Sequence, residues 1–265
     1  MLDPMDIKPV KPDKTRWGIY LLPNLFTTGC LFFGYYAIVM AMGGQYEKAA
    51  IAVFIAMILD GLDGRVARLT NTTSEFGVQY DSLADMVSFG LAPSLVMYEW
   101  ALHHAGKLGW AAAFIFTAAA ALRLARFNTQ VHVADKRYFQ GLPSPAGAAI
   151  VAGMVWFGTD HQFSGMDLYA PAAILTALTG LLMVSNLRYH SFKGIDLKGK
   201  IPFVMLLALV LIFVLVGMDP SQTLFFGFLI YAASGVVITM GWMRKRRTER
   251  RNSANPDEHT PTGGR

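Results

Sequence analysis

Four aspartates, Asp60, Asp63, Asp81 and Asp85, lie within stretches that are otherwise apolar. A carboxylate near the centre of a membrane-spanning helix costs at least about 2.5–3.5 kcal/mol, so a group of four needs a partner or a function. In a helix, residues three or four apart share a face, which pairs Asp60 with Asp63 and Asp81 with Asp85. Two antiparallel helices joined by the polar link 69–76 would therefore present all four carboxylates to one cavity.

A divalent cation is the partner that these carboxylates favour, because facing carboxylates in a partly dry site do not all stay ionised without positive charge. With no Cys or His among the ligands, magnesium or manganese fits better than zinc. Two such ions shared by the four side chains would suit displacement at phosphorus, where they stabilise the attacking and leaving oxygens. The alternative is a set of interfacial ion pairs with Arg65 and Arg68, which would balance only two of the four charges.

Small residues continue the two carboxylate faces. Gly64 and Ala67 follow Asp63 on one helix, and Gly77 precedes Asp81 on the next. Residues with little side chain would allow a bulky polar group, such as a nucleotide, to approach the backbone. For the two glycines, tight helix packing in a membrane is an equally good explanation.

The composition indicates that helices in a membrane must position these residues. Of the 265 residues 54% are hydrophobic, only 15% are charged and the net charge is +5. Soluble domains carry about 25% charged residues. The high hydrophobic fraction and the low charged fraction exclude a disordered chain and argue against a soluble enzyme. The single cysteine, Cys30, excludes an intramolecular disulfide framework.

Eight apolar stretches are long enough to cross a hydrocarbon layer of about 30 Å as helices, some of them short or tilted. We therefore predict an all-α polytopic membrane protein. The predicted spans are residues 19–42, 48–68, 79–102, 108–127, 143–158, 168–187, 201–218 and 222–243.

The basic residues give this topology an orientation. With eight spans, all but Lys48 and Lys107 of the 23 Lys and Arg residues fall on one side, together with both termini. Positive residues concentrate on the cytoplasmic side, so both termini and the aspartates are predicted there. The chain then divides into a polar N-tail (1–18), a transmembrane domain (19–243) and a basic, disordered C-tail (244–265).

Residues 60–85, DGLDGRVARLTNTTSEFGVQYDSLAD, resemble the signature of the CDP-alcohol phosphotransferases: D-x2-D-G-x2-A-R, eight residues, then G-x3-D-x3-D. All of its specified positions are present. The resemblance implies a six-helix catalytic core, a homodimer, and an enzyme that transfers a phosphatidyl or similar group from a CDP-linked donor to an alcohol, releasing CMP. It also implies site roles. Metal would be bound by Asp60, Asp63, Asp81 and Asp85, although Asp85 could instead be the general base. The residues that bind CDP would be Asp60, Asp63, Gly64, Ala67, Arg68, Gly77 and Asp81.

Four further segments resemble the branch of this family that uses serine as acceptor. They are MVSFGLAPS (86–94), RLARFN (123–128), FQGLPSPAGAA (139–149) and MVSNLRYHSFKG (183–194). We therefore expect CDP-diacylglycerol as donor, L-serine as acceptor and the inner membrane of a bacterial cell as location. Glycerol 3-phosphate, inositol phosphate and choline stay open as acceptors. A cation-coupled transporter and a membrane scaffold are the competitors from other classes.

The carboxylate of serine requires a cation, and the cytoplasmic segments offer Arg123, Arg126, Lys136, Arg137 and Lys193. For any one of them, a purely topological role explains the charge equally well. Arg126 and Asn128 are the preferred acceptor-binding residues because they close an apolar helix. Ser144 offers a hydroxyl, although turn chemistry between Pro143 and Pro145 also explains it.

Overall fold

The structure, a computed structural model, describes residues 17–70, 74–130, 138–190 and 203–254. Its helices are α1 (Trp17–Met42), α2 (Tyr46–Thr70), α3 (Glu75–Asp85), α4 (Ala92–Trp100), α5 (Lys107–Gln130), α6 (Ser144–Asp160), α7 (Gly165–Val184), α8 (Phe203–Met218) and α9 (Pro220–Ala254). A π-helical segment, Met86–Leu91, joins α3 to α4, and a 3₁₀ turn, Leu102–Ala105, precedes α5.

The predicted all-α fold is confirmed. Each predicted span overlaps a helix, although the third is divided between α3, the π-helical segment and α4. Over the described ranges, four stretches are long and apolar enough to cross a membrane: Pro23–Met42, Lys107–Thr129, Gly165–Val184 and Pro220–Gly241. The count of eight spans stays a prediction.

Helix α6 lies at the centre of the bundle and contacts α2, α4, α7 and α9. It is rich in Ala and Gly, and most of its residues from Ser144 to Val155 are buried. Small side chains allow close helix approach, as is typical of packing in membranes. Helix α8, in contrast, contacts mainly α9 and exposes Leu207, Phe213 and Met218, the surface expected of a lipid-facing helix.

The helices that carry the aspartates are held by α1. Gly44, with φ +72°, permits the tight turn from α1 into α2, and the two helices pack along their length. Ser74 caps α3 by accepting a hydrogen bond from the Gly77 N–H (3.0 Å). Just past α3, Ser88 donates to the Cys30 carbonyl at 2.9 Å, and a Cβ on Gly34 would overlap Ser88. The cap at the start of α3 and the close approach of α1 after its end therefore fix the chain on both sides of Asp81 and Asp85.

Two short strands connect the segments on either side of α6 and α7. β1 (Tyr138–Gln140) and β2 (Arg188–His190) pair antiparallel, with Phe139 opposite Tyr189. The fully buried Tyr189 donates to the Ala232 carbonyl of α9 at 3.1 Å, and a Cβ on Gly235 would overlap its ring. Burial raises the pKa of Tyr189 to about 12, so its hydroxyl stays a neutral donor at physiological pH. The tyrosine thus ties β2 to α9.

One predicted boundary requires correction. We expected an irregular tail from residue 244, but α9 continues as helix to Ala254. The run RKRRTERR contains no Pro or Gly and is rich in Arg, which has high helix propensity, so the preceding helix extends through it. The remainder of that tail, 255–265, and residues 1–16 of the N-tail lie outside the described residues. The same holds for Lys136, Arg137 and Lys193, which were candidates for acceptor binding.

Candidate active site

The structure brings together three of the four aspartates. Asp60 and Asp63 on α2 and Asp81 on α3 each place one carboxylate oxygen within 4.8 Å of the others. Asp63 is buried, with 5% of its surface exposed, and the other two are half-buried. The arrangement follows from the three-residue spacing on α2 and from the antiparallel return of the chain into α3.

Asp63 is oriented by a residue that sequence reasoning missed. The Thr27 hydroxyl of α1 donates to Asp63 Oδ2 at 2.8 Å and is itself buried. Its Oγ1 also lies 3.1 Å from the Pro23 carbonyl oxygen, which limits its rotation. A hydrogen bond from outside the acidic group therefore directs this carboxylate.

Asp85 lies apart from the compact group of three. Its charged neighbours include Asp60 and Asp81 of that group and Arg123 of α5. Asp85 Oδ1 is buried and has no hydrogen-bond partner among the described residues. A buried polar atom without a partner is uncommon in folded proteins. The predicted metal ligand Asp85 is thus adjacent to the group of three, and its free oxygen is available to a ligand.

These residues fit a divalent metal ion. The donors are carboxylate oxygens, the ligand type that magnesium, manganese and calcium prefer. Three carboxylate oxygens within 4.8 Å repel one another unless a cation lies between them. The alternative of ion pairs with Arg65 and Arg68 does not account for the buried Asp63, because both arginine side chains are exposed. The acidic group therefore has the composition and spacing of a metal site.

The two signature glycines differ in their surroundings. A Cβ added to Gly64 would meet no described atom closer than Arg68 Nη2, at 3.9 Å, so this face of α2 is open. A Cβ on Gly77 would lie 3.1 Å from the capping Ser74 hydroxyl and 3.7 Å from Asn24 Oδ1. The close contact at Gly77 is thus with the cap of its own helix, and Gly64 has no close contact with another helix. Space for a ligand lies beside Gly64, together with the exposed Arg68 and the half-buried Ala67.

The predicted acceptor-binding residues are engaged in different ways. Arg126 donates to the Val184 carbonyl at 3.2 Å, and Asn128 Nδ2 donates to the Ser82 hydroxyl at 2.9 Å. Both hydrogen bonds join α5 to a neighbouring element. Ser144 accepts a hydrogen bond of 2.7 Å from Arg123 Nη1. The structure therefore places Ser144 beside Asp85, through Arg123, and gives Arg126 and Asn128 partners within the protein.

Comparison with known proteins agrees with this geometry. The sequence profile described as CDP-alcohol phosphatidyltransferase matches residues 20–185, which run from α1 through α7 and include the aspartates. The chain belongs to the CDP-alcohol phosphatidyltransferase family. The resemblance noted in the sequence is thereby confirmed, and α8 and α9 lie outside the matched region.

Members of this family with curated names are similar to most of the chain. A CDP-diacylglycerol–serine O-phosphatidyltransferase of Helicobacter pylori is 42% identical over 74% of this chain and 83% of its own length. One of the same name from Methanocaldococcus jannaschii is 36% identical over 70% of this chain and 81% of its own. The archaetidylserine synthase of Methanothermobacter thermautotrophicus is 30% identical over 69% and 75%. All three names include serine.

Proposed function

We propose that this CDP-alcohol phosphatidyltransferase transfers the phosphatidyl group of CDP-diacylglycerol to the hydroxyl of L-serine, giving phosphatidylserine and CMP. The observation that carries the proposal is the occurrence of serine in the names of bacterial and archaeal relatives that match about 70% of the chain or more. These names refer to different lipid groups, phosphatidyl and archaetidyl, but each of them includes serine. This favours L-serine over glycerol 3-phosphate, inositol phosphate or choline.

Asp60, Asp63 and Asp81 would hold the metal, and Asp85 lies beside them. Bound there, two magnesium or manganese ions would supply charge stabilisation for displacement at phosphorus. Thr27 keeps Asp63 in one orientation through its 2.8 Å hydrogen bond. These side chains come from three helices, so the packing of α1, α2 and α3 determines the shape of the site.

Asp85 serves as the general base in this proposal. A serine hydroxyl is a weak nucleophile at neutral pH, and a carboxylate that accepts its proton accelerates attack by about 10²–10⁴-fold. The unpaired Oδ1 of Asp85 is free to accept that proton. The new O–P bond forms as the bond from phosphorus to the CMP oxygen breaks, and CMP leaves with the electron pair.

The donor nucleotide lies along the signature face of α2 in this proposal. Gly64 and Ala67 leave room there, Arg68 offers a cation to the diphosphate, and Gly77 with its Ser74 cap borders the other side. The diacylglycerol chains stay in the bilayer while CDP and serine enter from water. Such a substrate pair requires a site near the membrane–water interface, which agrees with the predicted cytoplasmic side of an inner membrane. The homodimer within the membrane is part of the same proposal and rests on the family resemblance.

The test is CMP release by the purified full chain in detergent with CDP-diacylglycerol and magnesium or manganese. L-serine, glycerol 3-phosphate, inositol phosphate and choline are compared as acceptors. We expect release that depends on L-serine and on the metal, and that is abolished by a chelator. Release with another acceptor alone would refute serine as substrate. A metal-bound sample that releases no CMP would refute the transferase and favour the cation-coupled transporter.

A further inference from the structure

Two buried polar atoms beside the carboxylate site have no hydrogen-bond partner among the residues that the structure describes. They are Asp85 Oδ1 and Arg123 Nε. The two residues are charged neighbours, yet these atoms do not pair with each other. Buried polar atoms are nearly always paired, so two unpaired atoms of opposite charge beside a reaction site indicate a ligand that binds both.

The Arg123 guanidinium is fixed by its other end. Nη1 donates to the Ser144 hydroxyl at 2.7 Å, and Ser144 is buried at the start of α6. With Nη1 engaged, the edge of the guanidinium that carries the buried, unpaired Nε–H is available for a ligand. An N–H of a guanidinium is a charge-assisted donor well suited to a carboxylate.

A ligand that satisfies both atoms must donate a proton to a carboxylate oxygen and accept hydrogen bonds with an anionic group. L-serine has a hydroxyl and a carboxylate on adjacent carbons. We propose that Arg123 binds the carboxylate of the acceptor serine through its Nε edge, while the serine hydroxyl donates to Asp85 Oδ1. This inference rests on the proposed function and names the residue that selects the acceptor.

Arg123 fits this role better than the residues preferred from the sequence. The guanidinium of Arg126 donates to the Val184 carbonyl, and the amide of Asn128 is bonded to Ser82. Arg123 combines a free buried donor with a position next to the proposed base. Ser144 then acts as a positioning residue, since its hydroxyl holds Nη1 and leaves Nε for serine.

The test compares L-serine with ethanolamine, which is serine without its carboxylate. In Arg123→Gln, we expect kcat/KM for serine to fall roughly 10- to 100-fold, the loss of a charge-assisted hydrogen bond. The kcat/KM for ethanolamine should fall much less, because ethanolamine loses only the effect of Arg123 on the neighbouring Asp85 and has no carboxylate to lose. The preference for serine over ethanolamine is therefore the readout, and the KM for CDP-diacylglycerol should stay within about threefold. Arg123→Lys should recover part of the preference for serine. Arg65→Gln, which removes an exposed arginine from α2, is the matched control.

Binding gives a readout that does not require turnover. L-serine is titrated calorimetrically into the full chain, and Ser144→Ala should weaken its binding several-fold, less than Arg123→Gln does. Equal losses for serine and ethanolamine in Arg123→Gln, or unchanged serine binding, would overturn the inference. Loss of the serine preference in Arg126→Gln instead would also overturn it. Failure of the proposed function can be distinguished from failure of this inference, because the unmodified protein would then release no CMP with serine.

Discussion

Substitution of Thr27 by valine tests whether the acidic group binds a metal ion. The two side chains have similar shapes, but valine cannot donate the 2.8 Å hydrogen bond to Asp63 Oδ2. Hydrogen bonds to charged groups contribute about 1.5–3 kcal/mol. Residues that orient a metal ligand typically change metal affinity by about 10–100-fold when mutated. We therefore expect Thr27→Val to raise the Kd for Mn²⁺ by roughly 10-fold or more, with most activity restored at saturating metal.

Free Mn²⁺, measured by electron paramagnetic resonance during titration of the purified protein, reports this Kd directly. The metal dependence of CMP release is measured in parallel. Thr28→Val is the matched control, since the neighbouring hydroxyl lies 2.9 Å from the Tyr80 hydroxyl and not against an aspartate. An unchanged Kd in Thr27→Val, or an equal shift in Thr28→Val, would refute the reasoning.

Four further substitutions test other parts of the site and fold. Asp85→Asn should lower kcat by about 10²-fold or more while equilibrium binding of CDP-diacylglycerol persists; full activity would contradict its role as base. Asp60→Asn should weaken Mn²⁺ and donor binding together, and an unchanged Mn²⁺ titration would count against it as a ligand. Gly64→Val should raise the KM for CDP-diacylglycerol without lowering the thermal unfolding temperature, because the added side chain enters open space. Gly235→Ala should destabilise the fold by about 1–3 kcal/mol in an unfolding titration, since its Cβ would overlap the Tyr189 ring. A variant as stable as the original would show that this contact is not required.

The sequence predicted the parts of the fold that depend on hydropathy and local spacing. Each of the eight apolar stretches overlaps a helix, and the spacing of Asp60, Asp63 and Asp81 correctly placed their carboxylates together. These features follow from helix periodicity and chain reversal alone. The signature identified the family because it is a local pattern too, with fixed residue types at fixed spacing along two consecutive helices.

The contacts between helices could not be predicted in this way. The hydrogen bonds from Thr27 to Asp63 and from Arg123 to Ser144 depend on how α1, α5 and α6 are rotated about their axes. Hydropathy leaves that rotation undetermined when all faces of a helix are apolar. The preference for Arg126 over Arg123 was based on position along α5, whereas the structure distinguishes them by what each guanidinium contacts.

The most direct test of the central claim follows both products of one reaction. Purified protein in detergent is supplied with CDP-diacylglycerol, manganese or magnesium and isotopically labelled L-serine, and CMP and labelled lipid are quantified together. The proposed transfer predicts equal amounts of CMP and labelled phosphatidylserine, both lost in Asp85→Asn. CMP without labelled lipid would indicate hydrolysis, and no release of CMP would contradict the assignment of this site to phosphatidyl transfer.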